Sequence, residues 1–293
     1  MYKPDQWEIL SEICSVACIT AISLIFGRKV AGIDGPVYYV RGLLMVLYSL
    51  AWAFDMIACM LVSTNNGNYI SCILGFFNIV LVYMAAKVCL LLYFLEKVYV
   101  CSAPKTHRFQ SWLYWTGLGL LVPYIAFIIL MILNRVTDLE QSAPYHCEIG
   151  YTLEGSIPIL CYDFMIMLFT ALVFVKFYFY PSAAQQTAQQ ASSLKIMAYR
   201  NIIGASVACL TATINYLIMV IFDGKERGLV AMSICTLDVT IVSCVIHWVT
   251  SHTAELQFVE RAMQKANNEK ALKLEIKQHQ EVVVLHELNS NRI

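Results

Sequence analysis

The sequence predicts an all-α membrane protein: a bundle of seven transmembrane helices followed by a charged helical tail. Three observations lead there. Of 293 residues, 59% are hydrophobic and 14% are charged, whereas a soluble domain carries about 25% charged residues. The apolar residues fall in seven blocks, each near the roughly 20 residues that cross the hydrocarbon of a bilayer. The blocks do not alternate apolar with polar, so they read as helices and not as barrel strands.

The spans lie near 8–26, 38–63, 70–96, 112–134, 157–180, 201–222 and 228–250. The first opens on Trp7, Glu8 and Glu12 instead of a basic flank, so it reads as a retained span and not a cleaved leader. The third is the longest and is expected to tilt. In the sixth, Gly204, Ala208 and Ala212 form a small-residue stripe for close helix packing, and Asn78 and Asn215 are expected to hydrogen-bond between helices. His247 and Trp248, at the end of the seventh, read as an interfacial pair. No internal repeat is visible, which weighs against a secondary transporter. The formal net charge of zero gives no sign of a nucleic-acid partner.

Basic residues collect in cytosolic loops. Arg28, Lys29, Arg41, Lys97, Lys105, Arg108, Lys176, Lys195 and Arg200 follow odd-numbered spans, against Lys3, Arg135, Lys225 and Arg227 on the other side. This predicts an outside amino terminus and a cytosolic carboxyl terminus. Residues 1–251 then form the membrane domain and 252–293 a cytosolic tail. In the tail, Glu269 precedes Lys273 by one helical turn, and Leu256, Val259, Met263 and Ala266 make a short apolar stripe. It is read either as a helix in solvent or at the membrane surface, or as a docking or coiled-coil segment that joins a homodimer.

Most of the eleven cysteines sit inside spans as small packing residues. Cys72, at the start of the third span, and Cys147, in the long loop before the fifth, face the oxidising side in this topology. They are either bridged or two free thiols. Cys101 ends the third span and is open to palmitoylation.

Ionisable side chains inside a span cost roughly 2.5–3.5 kcal/mol each and face the bundle interior. Asp55, Lys87 and Asp238 lie roughly 14–15 Å deep by helical rise, and Asp163 is shallower, about 9 Å. A cluster of Lys87, Asp55 and Asp238 is expected to link helices two, three and seven. It serves either as a packing clamp or as a two-state switch, or as an ion or proton site. Asp163 and Tyr162, below Glu148 of the long loop, are the candidates for contact with an extracellular ligand. The alternative for Asp163 is a hydrogen-bonded residue at a helix start. No nucleophile or metal constellation is visible: His247 and His252 stand five apart without an acidic motif. No catalytic residue, metal ligand or cofactor is therefore assigned, and the chain is read as not an enzyme.

Several segments resemble G-protein-coupled receptors. Cys72 and Lys97 have the 25-residue spacing of the rhodopsin-like third helix. Glu96-Lys97-Val98 keeps the acidic and basic positions of its terminal triplet, and Pro104 follows at the loop-proline position. Leu50 to Asp55 resembles the acidic segment of helix two. The sixth span has no Trp-x-Pro and the seventh no Asn-Pro-x-x-Tyr, so the likeness covers helices two and three. The chain is similar over most of 70–251 to a group of uncharacterised fungal seven-transmembrane proteins, in segments LLLYFLEKVYV, CEIG, IPILCYDF, LTATINYL and CTLDVTIVSCVIHWVTS.

The resemblance implies a GPCR-like receptor of the plasma membrane. It would sense an extracellular ligand and signal through cytosolic loops to a heterotrimeric G protein. Glu96 and Lys97 would then restrain the inactive state, the bland alternative being interfacial anchoring. The competing reading is an ion, proton or small-solute transporter or channel using the buried Asp and Lys residues.

Overall fold

The computed structural model describes residues 6–32, 39–64, 68–102, 112–139, 147–180, 188–223, 225 and 227–252. The expected tail helix, its homodimer seam and Pro104 lie outside the described residues.

Seven helices are long and apolar enough to cross a membrane, the build of an integral membrane protein. They are α1 (Gln6–Ala31), α2 (Tyr39–Thr64), α3 (Tyr69–Cys101), α4 (in two halves, Trp112–Gly119 and Pro123–Leu133), α5 (Leu153–Phe179), α6 (Ala188–Ile221) and α7 (Gly228–Thr250). Large apolar side chains cover their outer faces, among them Ile13, Val16, Ile125, Ile129, Phe169, Leu172 and Leu210. Water penalises such a surface and lipid does not.

Neighbouring helices run antiparallel and the ring closes between α1 and α7. The Ser11 and Ser233 hydroxyls share a hydrogen bond of 2.5 Å near one end. At the other end, Lys29 Nζ donates to Thr250 O at 3.4 Å. Helices α3 and α7 are the most enclosed and α4 the least. The small-residue stripe of α6 packs as its spacing predicts: a Cβ at Gly204 would stand 3.3 Å from Val249 and 3.8 Å from Phe94. Helix α6 starts at Ala188, well before the apolar block at 201. Its polar first turns are absent from a hydropathy pattern, yet Leu194, Met197 and Ala198 are buried there.

Helix α4 breaks at Leu120–Val122. Pro123 has no N–H to donate, and the chain tightens so that Tyr124 N bonds Leu121 O at 3.2 Å, three residues back. Leu120 O, the acceptor that Tyr124 would use in a regular helix, receives the Tyr162 hydroxyl at 2.7 Å instead. In a bilayer a freed carbonyl needs such a partner.

The loop between α4 and α5 forms an antiparallel hairpin of β1 (Arg135–Leu139) and β2 (Cys147–Tyr151), with Thr137 opposite Ile149. On β2 the large residues Cys147, Ile149 and Tyr151 alternate along the strand and are buried, and Gly150 between the last two is buried as well. A disulfide joins Cys147 to Cys72 near the start of α3, with Cα atoms 5.9 Å apart. Ile149 fits over Gly75: a Cβ there would meet Ile149 Cδ1 at 2.9 Å and the Met232 sulfur of α7 at 3.5 Å. The hairpin is thus bolted to α3 and seated on both α3 and α7.

Two predictions follow from this seat. Gly75→Val should lower stability by about 1–3 kcal/mol through overpacking, seen in thermal unfolding of the detergent-solubilised protein. Gly75→Ala combined with Ile149→Val, which removes the obstructing methyl, should unfold at the wild-type temperature. Cys72→Ser and Cys147→Ser should each cost about 2–4 kcal/mol. The double variant should cost no more than either, because both remove the same bond.

Candidate functional site

The site centres on the middle of α3, where residues Asn78–Tyr83 form a π-helical segment. Such a segment carries one residue beyond the α-helical register. At 3.6 residues per turn, the side chains that follow are turned by about 100° from their expected face. Asn78 opens the segment and donates from Nδ2 to Phe54 O of α2 at 3.3 Å. Tyr83 closes it.

The Tyr83 hydroxyl donates to Asp238 Oδ2 of α7 at 2.6 Å and accepts from Asn215 Nδ2 of α6 at 2.8 Å. One turn along α3, Lys87 Nζ lies 2.7 Å from the same Oδ2 and 5.3 Å from the Tyr83 ring centre. Lys87 and Asp238 are each 3% exposed. A buried charge is tolerated when it is paired and hydrogen-bonded. Here one carboxylate oxygen takes both a cation and a phenol, so α3, α6 and α7 are tied at one point.

The expected three-residue cluster divides. Asp55 is buried, but its Oδ2 accepts from Thr240 Oγ1 at 3.1 Å, and its Oδ1 has no hydrogen-bond partner among the described residues. The reason is azimuthal. Asp238 and Thr240 are two residues apart on α7, so their side chains point about 200° apart. The side of α7 that Asp55 meets faces away from Lys87. Depth along the bundle is not enough to make a contact.

Asp163, expected to be shallower, is instead buried in the bundle interior. It is 1% exposed, receives the Tyr124 hydroxyl at 2.5 Å, and lies within electrostatic reach of Lys87 and Asp238. It is therefore an interior residue and not one at an open mouth. Tyr162 faces α4 beside it. Its hydroxyl holds Leu120 O, and its ring packs on Tyr124 and Phe127 with centres 5.6 and 5.0 Å away. Glu148 sits apart on β2, partly exposed, opposite Asp138 in the hairpin and bridged through its backbone to Arg227. The three expected ligand contacts are not brought together.

At the opposite end of α3, Glu96 and Lys97 are both buried. They are enclosed in the bundle, unlike residues anchored in a headgroup layer. Lys97 Nζ lies 5.5 Å from the Tyr93 ring centre and within electrostatic reach of Lys29 and Glu96. His247 and Trp248 lie nearby on α7, where Arg200 stacks on the Trp248 ring at 4.2 Å.

Sequence reasoning missed Tyr83, Tyr124 and Tyr216 as part of the interior polar set. The signal was present for Tyr83, which stands four residues before Lys87 and so shares its face. Tyr216 is buried beside them, its hydroxyl 3.6 Å from the Met84 sulfur.

No family model matches the chain, and no curated protein matches it.

The division of the aspartates is directly testable. Lys87→Met should cost about 3–5 kcal/mol, because it leaves a buried carboxylate without its cation. Adding Asp238→Leu should recover most of that loss. A double-mutant cycle on thermal stability should give a coupling above about 1 kcal/mol for Lys87 with Asp238 and within about 0.5 kcal/mol of zero for Lys87 with Asp55.

Proposed function

We propose that the chain is a GPCR-like receptor of the plasma membrane, similar to the fungal seven-transmembrane group whose segments it resembles. In this reading the hairpin end faces outside and receives a ligand. The opposite end, with its basic loops, meets a heterotrimeric G protein. One observation carries the proposal: the hairpin rests on α3 and α7, the two helices that share the Lys87–Asp238 ion pair. A ligand that displaces the hairpin therefore acts on the helices that hold the buried charges.

The ion pair is the two-state element. Lys87 has Asp238 as its present partner and Asp163 within electrostatic reach as a second. Exchange between them, with Tyr83 and Asn215 following, changes how α3, α6 and α7 are tied. Switches of this kind rest on discrete packings and not on continuous deformation. The Glu96–Lys97 end of α3 then transmits the change to the cytosolic face.

Guanine-nucleotide exchange on a co-expressed Gα, measured in membranes, tests the proposal. Asp238→Asn weakens the hold on Lys87 and should change basal exchange at least about threefold, a shift of roughly 0.7 kcal/mol in the equilibrium. Asp55→Asn should leave it nearer wild type. Identical basal exchange in wild type, Asp238→Asn and Lys97→Ala, across a panel of Gα subunits, argues against a receptor. Solute uptake or current in proteoliposomes that is lost in Lys87→Met would favour a transporter instead.

A further inference from the structure

Helices α1 and α7 run side by side, with Ser11 against Ser233 at the hairpin end and Lys29 against Thr250 at the other. The buried face of α1 reads Glu8, Ser11, Ser15, Cys18 and Ile22, at the spacing of one helix face. An acid, two hydroxyls and a thiol come first. Apolar residues take over at Ile22 and continue with Ile25 and Phe26. Helix α7 answers with Ser233, Thr236 and Thr240 at the same spacing. The Thr240 hydroxyl bonds Asp55 of α2, and Thr240 also meets Cys18 of α1. A polar seam therefore runs from the hairpin end to Asp55 and stops at Ile22. From Ser233 to Thr240 it is about 10 Å long by helical rise. Asp238 lies on the other side of α7, in the pair with Lys87.

Small residues by themselves serve close helix packing. In a dry helix interface a hydroxyl bonds back to its own backbone, as Thr170, Thr211 and Thr213 do here. Ser15 and Thr236 do not, although they are 1% and 0% exposed. At the foot of the seam Asp55 is buried, with Oδ1 unbonded among the described residues. The titratable groups that face it are thiols: Cys18 of α1, with Cys14 behind it, and Cys59 of α2, with Glu12 beyond. Helix α3 brings Asn78 and Tyr83 to the neighbouring Phe54, and the Tyr83 hydroxyl is committed to Asp238. None of these is a cation, and Lys87 is taken by Asp238. A buried carboxylate without a cation is neutralised by a proton. Unbonded hydroxyls in series above it are partners for water.

We propose that Asp55 is a proton-binding site, and that the seam between α1 and α7 is the path by which it exchanges this proton with the hairpin side of the membrane. The proton arrives as hydronium, forms an O–H bond on Oδ1 and leaves water behind. Release reverses the step, returning the proton to a water of the seam and the negative charge to the carboxylate. Thr240 stays on Oδ2 in both forms and holds the carboxyl at the foot of the seam. Ile22 and the apolar residues after it close the α1 side below.

Infrared spectroscopy of the full chain in phosphatidylcholine nanodiscs provides the test. The difference between wild type and Asp55→Asn isolates this carboxyl from Asp163 and the other acids. At neutral pH the wild type should show a carboxylic-acid C=O band that Asp55→Asn lacks, and alkaline buffer should replace it with a carboxylate band. Asp55→Asn should unfold near the wild-type temperature, because its amide imitates the neutral acid. On transfer to D2O the band should shift as the proton exchanges. Ser15→Ala with Thr236→Val removes two hydroxyls with little change of volume, and should slow that shift at least about tenfold. Ser243→Ala, on α7 below Asp55, should leave the rate unchanged. Absence of the acid band overturns the proposal, and so does exchange in the double variant as fast as in wild type. Slowing by Ser243→Ala alone would put the path on the other side and also overturns it. A band removed by sodium chloride at constant pH, but not by alkali, would make the ligand a metal cation instead.

Discussion

In hydrocarbon a lysine ammonium has no water to solvate it and must find an anion, and the position of that anion organises this bundle. Lys87 finds Asp238, and the same oxygen holds Tyr83, which in turn holds Asn215. Three helices converge on one carboxylate, so α3 lies in the middle of the bundle and α6 and α7 lie against it. An apolar pair of similar volume would hold two helices with no desolvation penalty. What an apolar pair lacks is a second place to go. On the proposed reading Asp163, which receives the Tyr124 hydroxyl, is that second place. Among the described residues, Asp238 and Asp163 are both buried within electrostatic reach of Lys87.

The irregular backbone of this protein is gathered around that interior. A regular helix satisfies all its own peptide groups, so every departure inside a membrane needs a local compensation. The π-helical segment of α3 ends on Tyr83, the residue that bridges Asp238 and Asn215. The break in α4 is compensated by Tyr162 and turns Tyr124 toward Asp163. Gly75, a turn above the π-helical segment, gives up its side chain so that the hairpin can approach. Each departure thus serves either the polar centre or the cap above it.

The parts of this structure that were legible in the sequence are those that follow from length and hydropathy. Seven blocks gave seven helices, and the block at 228–250 coincides with α7. Hidden parts depend on angle about a helix axis. Asp55, Lys87 and Asp238 share a depth, which the 1.5 Å rise predicts, but contact also requires a shared azimuth. Asp55 meets the Thr240 side of α7, and the extra residue in the π-helical segment rotates Lys87 away from its expected bearing. No periodicity in a single sequence carries that rotation. The hairpin escaped for a different reason: its strands are five residues each, and alternation over so few positions competes with any loop pattern. Cys147, Ile149 and Tyr151 do alternate, and the buried tyrosine and isoleucine were the available sign.

The two ends of the bundle differ in what they allow. At the hairpin end a covalent bond, a glycine seat and two strands restrict the motion of α3 and α7 relative to each other. At the opposite end Glu96 and Lys97 are buried, and among the described residues Lys29 and Arg200 tie to the backbone of α7 at Thr250 O and Trp248 O. The disulfide and the Gly75 seat connect the hairpin to α3 above Lys87, so a displacement of the hairpin enters the bundle there. On the proposed reading, that is where a signal enters. In that proposal, a shift of Lys87 from Asp238 toward Asp163 would exchange one ion pair for another in the same low-dielectric interior. Both pairs would carry the desolvation of a buried ammonium and carboxylate, and a bistable element requires near-equality between such large opposing terms.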